Sequence, residues 1–342
     1  MKPPTPPPLW NVEENRLRAG PRLIAFLLLN FIVLQIFVVS LGSLLLTATD
    51  NPLTAPLTPD TESVDLRVIS AVTVSASALV SIWIAGRFLD RRSLAEFGLS
   101  LTRRWFIGWL LGISFGAVAI TALFLLQVGL GWVEVTGTNL SEWSWNTALL
   151  FIAPIFFFGL AALGEDLMFW GYLLTNLSEG FSFGRFSRVL SPALALGFIA
   201  SYFALGHVLN PEADLISTIN IFVAGIMLAL GYLLTGQLAI TIGLHFSWNL
   251  FQGYVFGFPV SGLDPTGPTL LSIQQRGPEL LTGGQFGPEG GILGLCSILL
   301  VCVLIYAASR LAGYTGISSS ISTYRRSSTH RYSANVSEDN SD

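Results

Sequence analysis

Apolar residues along this chain come in long charge-free runs, not in the alternation of half-buried strands or the stripes of surface helices. The runs are Leu23–Leu46, Val68–Gly86, Trp105–Val133, a segment from near Asn146 to about Thr175, and Val189–Pro211. No charge at all falls between Asp214 and Asp264. That stretch is too long for one helix, and TGQ (Thr235–Gln237) divides it in two; Gly291–Ser309 closes the series. A bilayer span needs about 20 mostly apolar residues, and backbone polar groups must be satisfied internally in lipid. Runs of this length therefore predict transmembrane helices, whereas barrel strands would alternate. The expected fold class is all-α: a polytopic membrane helical bundle of about eight transmembrane helices.

Composition agrees. Hydrophobic residues make up 52% of the chain and charged residues 11%, against about 25% charged in ordinary soluble domains; mean hydropathy is +0.64. With eight spans both termini share a side. All 17 basic residues except Arg67 and Arg276 then fall on that side, in the N-terminal tail, the second-to-third loop, the fourth-to-fifth loop and the C-terminal tail. The positive-inside rule makes that side cytoplasmic. The opposite loops carry Asp50, Asp60, Glu62, Asp65, Glu134, Glu142, Glu212 and Asp214. The net charge of −4 is thus a difference between two faces and points to no nucleic-acid partner.

The expected organisation is a Pro-rich cytoplasmic tail (1–22), a transmembrane domain (23–313) and a Ser-rich, disordered cytoplasmic tail (314–342). The first apolar run is too long for a signal-peptide core and reads as retained. Cys296 and Cys302, six apart on the last span, face different directions and read as small apolar core residues. The Gly- and Pro-rich loop 257–291 reads either as a flexible surface loop or as a lid over the outer mouth of the bundle.

Candidate chemistry is confined to a few groups. Ionisable side chains within spans are costly, so each is a candidate functional residue. GEDLMFWGYLL carries Glu165 and Asp166 in an apolar setting; SYFALGHVLN carries His207; GLHFSWNLFQG carries His245. Phe203 and His207 share a helix face at four-residue spacing, as do His245 and Asn249. If those faces converge, they form a buried polar site from three spans. A glutamate in a low-dielectric pocket suits a general base, a histidine beside it can hold the same water, and a second histidine with an amide can donate to an oxyanion. The same His, His and Glu could equally be zinc ligands. The structural alternatives are helix packing, proton or ion transport, and interhelical hydrogen bonding by His245 and Asn249.

One geometric tension stands against convergence. His245 lies about 12 Å from the start of its span and His207 about 27 Å along its own, at 1.5 Å per residue. A fifth helix beginning near Pro192 would shrink that gap without closing it.

The order acidic pair, Phe203-x-x-x-His207, His245-x-x-x-Asn249 resembles the CPBP intramembrane proteases, the CAAX-protease and bacteriocin-processing group with bacterial and archaeal members. The segments RRSLAEFGLSLTRRW, GFPVSGL and LTGGQFGPEGG are similar to theirs as well, and the likeness spans roughly 65–310. The resemblance implies that Glu165 and His207 activate water and that His245 and Asn249 complete the site as oxyanion donors or metal ligands. A metal, if bound, would be zinc on Glu165, His207 and His245; the favoured version needs no cofactor. The substrate implied is a membrane-protein or lipidated peptide, including prenylated CAAX proteins, met in or at the lipid bilayer of a prokaryotic cell. The family's first motif reads Glu-Glu-x-x-x-Arg. Here Asp166 replaces the second Glu, a mild change. Trp170 replaces the Arg and removes a fixed cation one turn from the acids, so Asp166 must be neutral or find another partner. A non-proteolytic binding or immunity protein on the same scaffold is the alternative.

Overall fold

In the computed structural model the protein is helical almost throughout. The structure describes residues 9–12, 14–49, 62–138, 145–182, 189–265, 269–318 and 320–321. Residues 1–8 and 13 of the Pro-rich tail, Asp50, Asp60, Glu142, Arg185, Arg188 and most of the Ser-rich tail with His330 lie outside the described residues, as do the expectations attached to them.

The chain runs α1 (Ala19–Thr49), α2 (Glu62–Ala85), α3 (Arg103–Gly129), α4 (Trp145–Asp166), α5 (Leu174–Phe181), α6 (Leu190–His207), α7 (Leu215–Thr235), α8 (Ala239–Asn249), the short α9 (Glu279–Thr282) and α10 (Ile292–Leu311). Among the described residues, seven segments are long and apolar enough to cross a membrane: Ala19–Leu41, Val72–Asp90, Arg103–Gly129, Ile152–Phe181, Leu190–His207, Leu215–Thr235 and Ile292–Leu311. The protein is an integral multi-pass membrane protein. The expected seventh of eight spans is shorter than its neighbours. It is α8 continued by a π-helical turn, Leu250–Val255, and most of its side chains are buried. Because it is enclosed by other helices, it needs neither the length nor the lipid-facing surface of a peripheral span.

α8 packs most extensively against α3, and glycines set that contact. A Cβ at Gly116 of α3 would stand 2.7 Å from the Leu244 carbonyl oxygen and 2.8 Å from the Trp248 nitrogen. One at Gly112 would meet the Ile240 carbonyl carbon and the Leu244 nitrogen at 2.9 Å, and one at Gly243 the Ile113 nitrogen at 3.0 Å. Small residues at four-residue spacing let membrane helices approach backbone to backbone. The same device at Gly164 seats α4 on α2, where a Cβ would meet Ser75 Cα at 2.9 Å.

α4, the π-helical segment Leu167–Leu173 and α5 follow one another without a break, so the helix continues past the acidic pair, as the sequence predicts. α6 begins at Leu190, two residues before the expected start near Pro192, and Pro192 is buried in its first turn. A proline is tolerated there because the first-turn N–H groups have no intrahelical acceptor.

Two features depart from an all-helical bundle. α3 stops at Gly129, short of the expected Val133, and β3 (Val133–Thr138) pairs antiparallel with β4 (Leu271–Gln275). The loop 257–291 is therefore built into the fold: Phe258, Phe286 and Glu289 are buried. At the opposite end, Trp10–Asn11 (β1) pairs with Arg16–Leu17 (β2), and Arg16 and Arg22 are buried. Glu179 of α5 ion-pairs with Arg16 at 3.0 Å, with Arg22 at 2.6 Å and with Arg92; Arg22 also pairs with Asp90 at 3.0 Å. The tail residues nearest α1 are thus a packed part of the protein, because a carboxylate buried on the long helix recruits their guanidinium groups. Cys296 and Cys302 are unpaired.

Candidate active site

Glu165, His207, His245 and Asn249 line one cavity of about 410 Å³. The depth difference along the separate helices does not prevent both histidines from lining it.

Continuation of the helix through the Leu167–Leu173 turn gives the acidic pair two environments. The Glu165 side chain is 40% exposed and reaches the cavity; that of Asp166 is fully buried behind it. Asp166 Oδ1 lies 3.0 Å from His245 Nδ1 and accepts a hydrogen bond from Trp170 Nε1 at 3.1 Å. Asp166 thereby fixes the His245 ring, leaving Nε2 directed to the Glu165 side, 4.0 Å from its Oε2. The partner that Asp166 requires in place of the missing cation is thus supplied twice, by the indole and by the imidazole. Trp170 is fully buried, and Gly225 of α7 makes room for it: a Cβ there would stand 3.2 Å from the indole.

His207 is the last residue of α6, and its Nδ1 lies 2.8 Å from the Phe203 carbonyl oxygen. Since a carbonyl only accepts, Nδ1 carries the proton in this contact, and Nε2 is the ring nitrogen left for the cavity. Phe203 itself packs between Trp170 (5.6 Å between centroids) and His207 (4.7 Å). The Phe-x-x-x-His spacing therefore does two things: it sets the tautomer through the backbone and the ring position through the side chain.

The metal alternative fits the described residues less well. Among the described residues no three His, Cys, Asp or Glu side chains are grouped as a metal site. Glu165 and His245 approach each other, but His207 does not complete a tripod with them, so no step below passes through a metal.

Sequence reasoning missed Glu289. It is buried, lines the same cavity, and comes from the loop read as a surface loop or lid. Its Oε1 accepts from the Ser261 backbone N–H (2.6 Å) and hydroxyl (3.2 Å), and its Oε2 from Gln252 Nε2. Burial pushes its carboxyl up to about 7 in spite of these donors. The available signal was a lone glutamate in GPEGG, a setting that reads as a turn.

A membrane-embedded bundle thus encloses a cavity of about 410 Å³ lined by a partly exposed carboxylate, two imidazoles and an amide, a set of groups suited to hydrolysis. Residues 143–251 match the Rce1-like family, described as type II CAAX prenyl endopeptidase Rce1-like, and that segment carries every residue named for the acidic, Phe-His and His-Asn motifs. The matched stretch, about a third of the chain, thus resembles a family of intramembrane proteases. No curated protein matches the chain, and no solved structure does.

Proposed function

We propose that the protein is an intramembrane endopeptidase that hydrolyses a peptide bond of a membrane-associated substrate, of which a prenylated CAAX-type protein is one kind, by water activated without a metal. The observation that carries this is the convergence of Glu165, His207, His245 and Asn249 on one cavity from three stretches of helix. Glu165 and the unprotonated Nε2 of His207 are the acceptors for the protons of the attacking water. Attack on the scissile carbonyl places negative charge on its oxygen. Asn249, through its side-chain N–H, and His245, when Nε2 is protonated, donate to that oxygen. Asp166 holds the His245 ring in register, with Trp170 holding Asp166. The proton taken from water passes to the departing amine. Preorganised donors of this kind contribute about 3–4 kcal/mol each where one has been removed from an enzyme. In this reading both termini face the cytoplasm, on the ground of the arginine distribution.

The test is cleavage of a quenched-fluorescent peptide library, with prenylated members, by detergent-purified protein, run beside Glu165→Gln, each with and without chelator. Cleavage lost in the variant and kept with chelator supports the reading. Loss of cleavage with chelator replaces it with a metal mechanism. Absence of cleavage from a folded wild-type protein across the library overturns it in favour of a non-proteolytic binding protein.

A further inference from the structure

The cavity lies toward one end of the bundle. His207 is the last residue of α6, a helix that starts just after Arg185 and Arg188 in the sequence. Three residues on, Asn210 also lines the cavity, as do Val260, Ser261, Leu263 and Asp264 of the loop 257–291. All five belong to connections at the end away from the arginine-rich segments. Leu263 is 46% exposed and Asp264 is exposed too, so the lining runs out to the surface there. This rim is held by its own bonds. Asn210 Nδ2 donates to the Ser261 carbonyl at 2.8 Å, and the Gly262 N–H donates to the Phe286 carbonyl at 2.7 Å. Gly262, at φ +79°, lets the loop close on the α6–α7 connection: a Cβ there would stand 3.1 Å from the Pro211 carbonyl carbon.

The other end is closed. Among the described residues, none that lines the cavity comes from the N-terminal segment, from the connection between α2 and α3, or from α5. Past the acidic pair the continuing helix carries Leu167, Trp170, Tyr172 and Leu174, none of them exposed. The hydroxyls of Thr175 and Tyr232, both buried, bond to each other at 2.8 Å. Further on, Glu179 and Asp90 hold Arg16, Arg22 and Arg92 in buried ion pairs, which tie the N-terminal segment over that end. Glu165 is nevertheless 40% exposed. With the floor beneath it packed, the space that exposes it leads to the rim at Leu263 and Asp264.

We propose that the site is served from the non-cytoplasmic face, and that its substrate is a polypeptide segment on that face, an outer loop or juxtamembrane stretch of a membrane protein. The orientation follows from the arginines. Those of the N-terminal segment and of the α2–α3 connection flank the closed end, and the positive-inside rule puts that end in the cytoplasm. α6 then runs outward to His207, and the rim lies outside. The proposal rests on the peptidase reading for what is done to the segment, and it narrows that reading. A lipidated tail on the cytoplasmic face meets the packed floor and not the cavity. Water reaches Glu165 by the same outer route as the scissile bond.

The test places single cysteines in the full chain with Cys296 and Cys302 replaced by serine. Leu263→Cys marks the rim, and Val12→Cys, an exposed position on the N-terminal segment, marks the closed end. A membrane-impermeant maleimide is expected to label Leu263→Cys in intact expressing cells and Val12→Cys only in inverted membrane vesicles. Asp264→Cys takes over as rim marker if Leu263→Cys does not fold. In parallel, a quenched-fluorescent peptide that the detergent-purified protein cleaves is given an impermeant dye and offered to right-side-out and to inverted vesicles. Cleavage is expected in the first and lost in the second. Labelling of the rim from the cytoplasmic face, or cleavage of peptide supplied there, overturns the proposal. Rim labelling from outside in a protein that cleaves nothing in detergent removes the peptidase reading and leaves the outward-facing cavity. Cleavage in detergent that occurs in vesicles from the cytoplasmic face alone does the reverse.

Discussion

Replacing Gly116 by alanine tests whether the α3–α8 contact sets the site. The added methyl carbon would stand 2.7 Å from the Leu244 oxygen and 2.8 Å from the Trp248 nitrogen, and closer still to the Ser247 hydroxyl. Ordinary contact begins at 3.4 Å, so the backbones must separate by about 0.7 Å at Leu244. Overpacking of this kind costs about 1–3 kcal/mol. Against it stands the gain of about 0.5–1 kcal/mol that alanine brings to a helix interior. Gly197 of α6 separates the two effects, because a Cβ there has no atom within 4 Å and only the gain remains. Gly116→Ala is thus expected to lower the thermal midpoint in detergent while Gly197→Ala holds or raises it. Because α8 carries His245 and Asn249, the folded Gly116→Ala protein is also expected to lose turnover beyond its loss of folded fraction. Equal midpoints for the two variants, or full activity in Gly116→Ala, would refute the view that a glycine-mediated backbone contact positions the site.

Three further outcomes are expected. Trp170→Phe removes one of the two donors to the buried Asp166 Oδ1; turnover should fall by about tenfold at unchanged KM, as for a lost hydrogen bond of about 1–2 kcal/mol, read from kinetics on a cleaved peptide. Glu179→Gln leaves Arg16, Arg22 and Arg92 without their shared carboxylate and should cost about 3–5 kcal/mol, whereas Arg276→Gln, which breaks an exposed pair with Glu134, should change stability by less than about 1 kcal/mol; denaturation in detergent compares them. Glu289 has its folded carboxyl raised to about 7 from its ordinary 4.5, so its contribution favours the folded state at low pH and is lost as pH rises through 7. Stability should fall between pH 5 and 8 by something on the order of 3 kcal/mol, and Glu289→Gln should flatten that slope in thermal melts across the range.

The spans were legible because their signal is coarse: length and absence of charge fix a membrane helix whatever it packs against. The motif residues were legible because an ionisable group in such a run has few structural uses. What escaped the sequence depends on packing between distant segments. α8 is short because α3 lies against it through Gly112 and Gly116, and spacing along one chain does not say which helix those glycines face. Arg16 and Arg22 look like tail residues until Glu179, far along the sequence, is seen to hold them. Glu289 sits among glycines, and nothing local distinguishes a turn that faces solvent from one folded into a cavity.

Trp170 shows how far a motif can be read as a list of required residues. The resemblance makes its indole a lost cation, and a lost cation should strand the neighbouring acid. The structure replaces one interaction by two: the indole N–H on Asp166 Oδ1, and the imidazole of His245 on the same oxygen. What the acid needs is a donor at Oδ1 and a ring to orient, and a neutral N–H meets the first need without bringing a full charge into the bundle. The requirement then passes to the surroundings. An indole needs more room than a guanidinium, and α7 offers it at Gly225. Acid, indole and glycine are therefore one unit spread over two helices, and substituting any one alone should disturb the ring of His245.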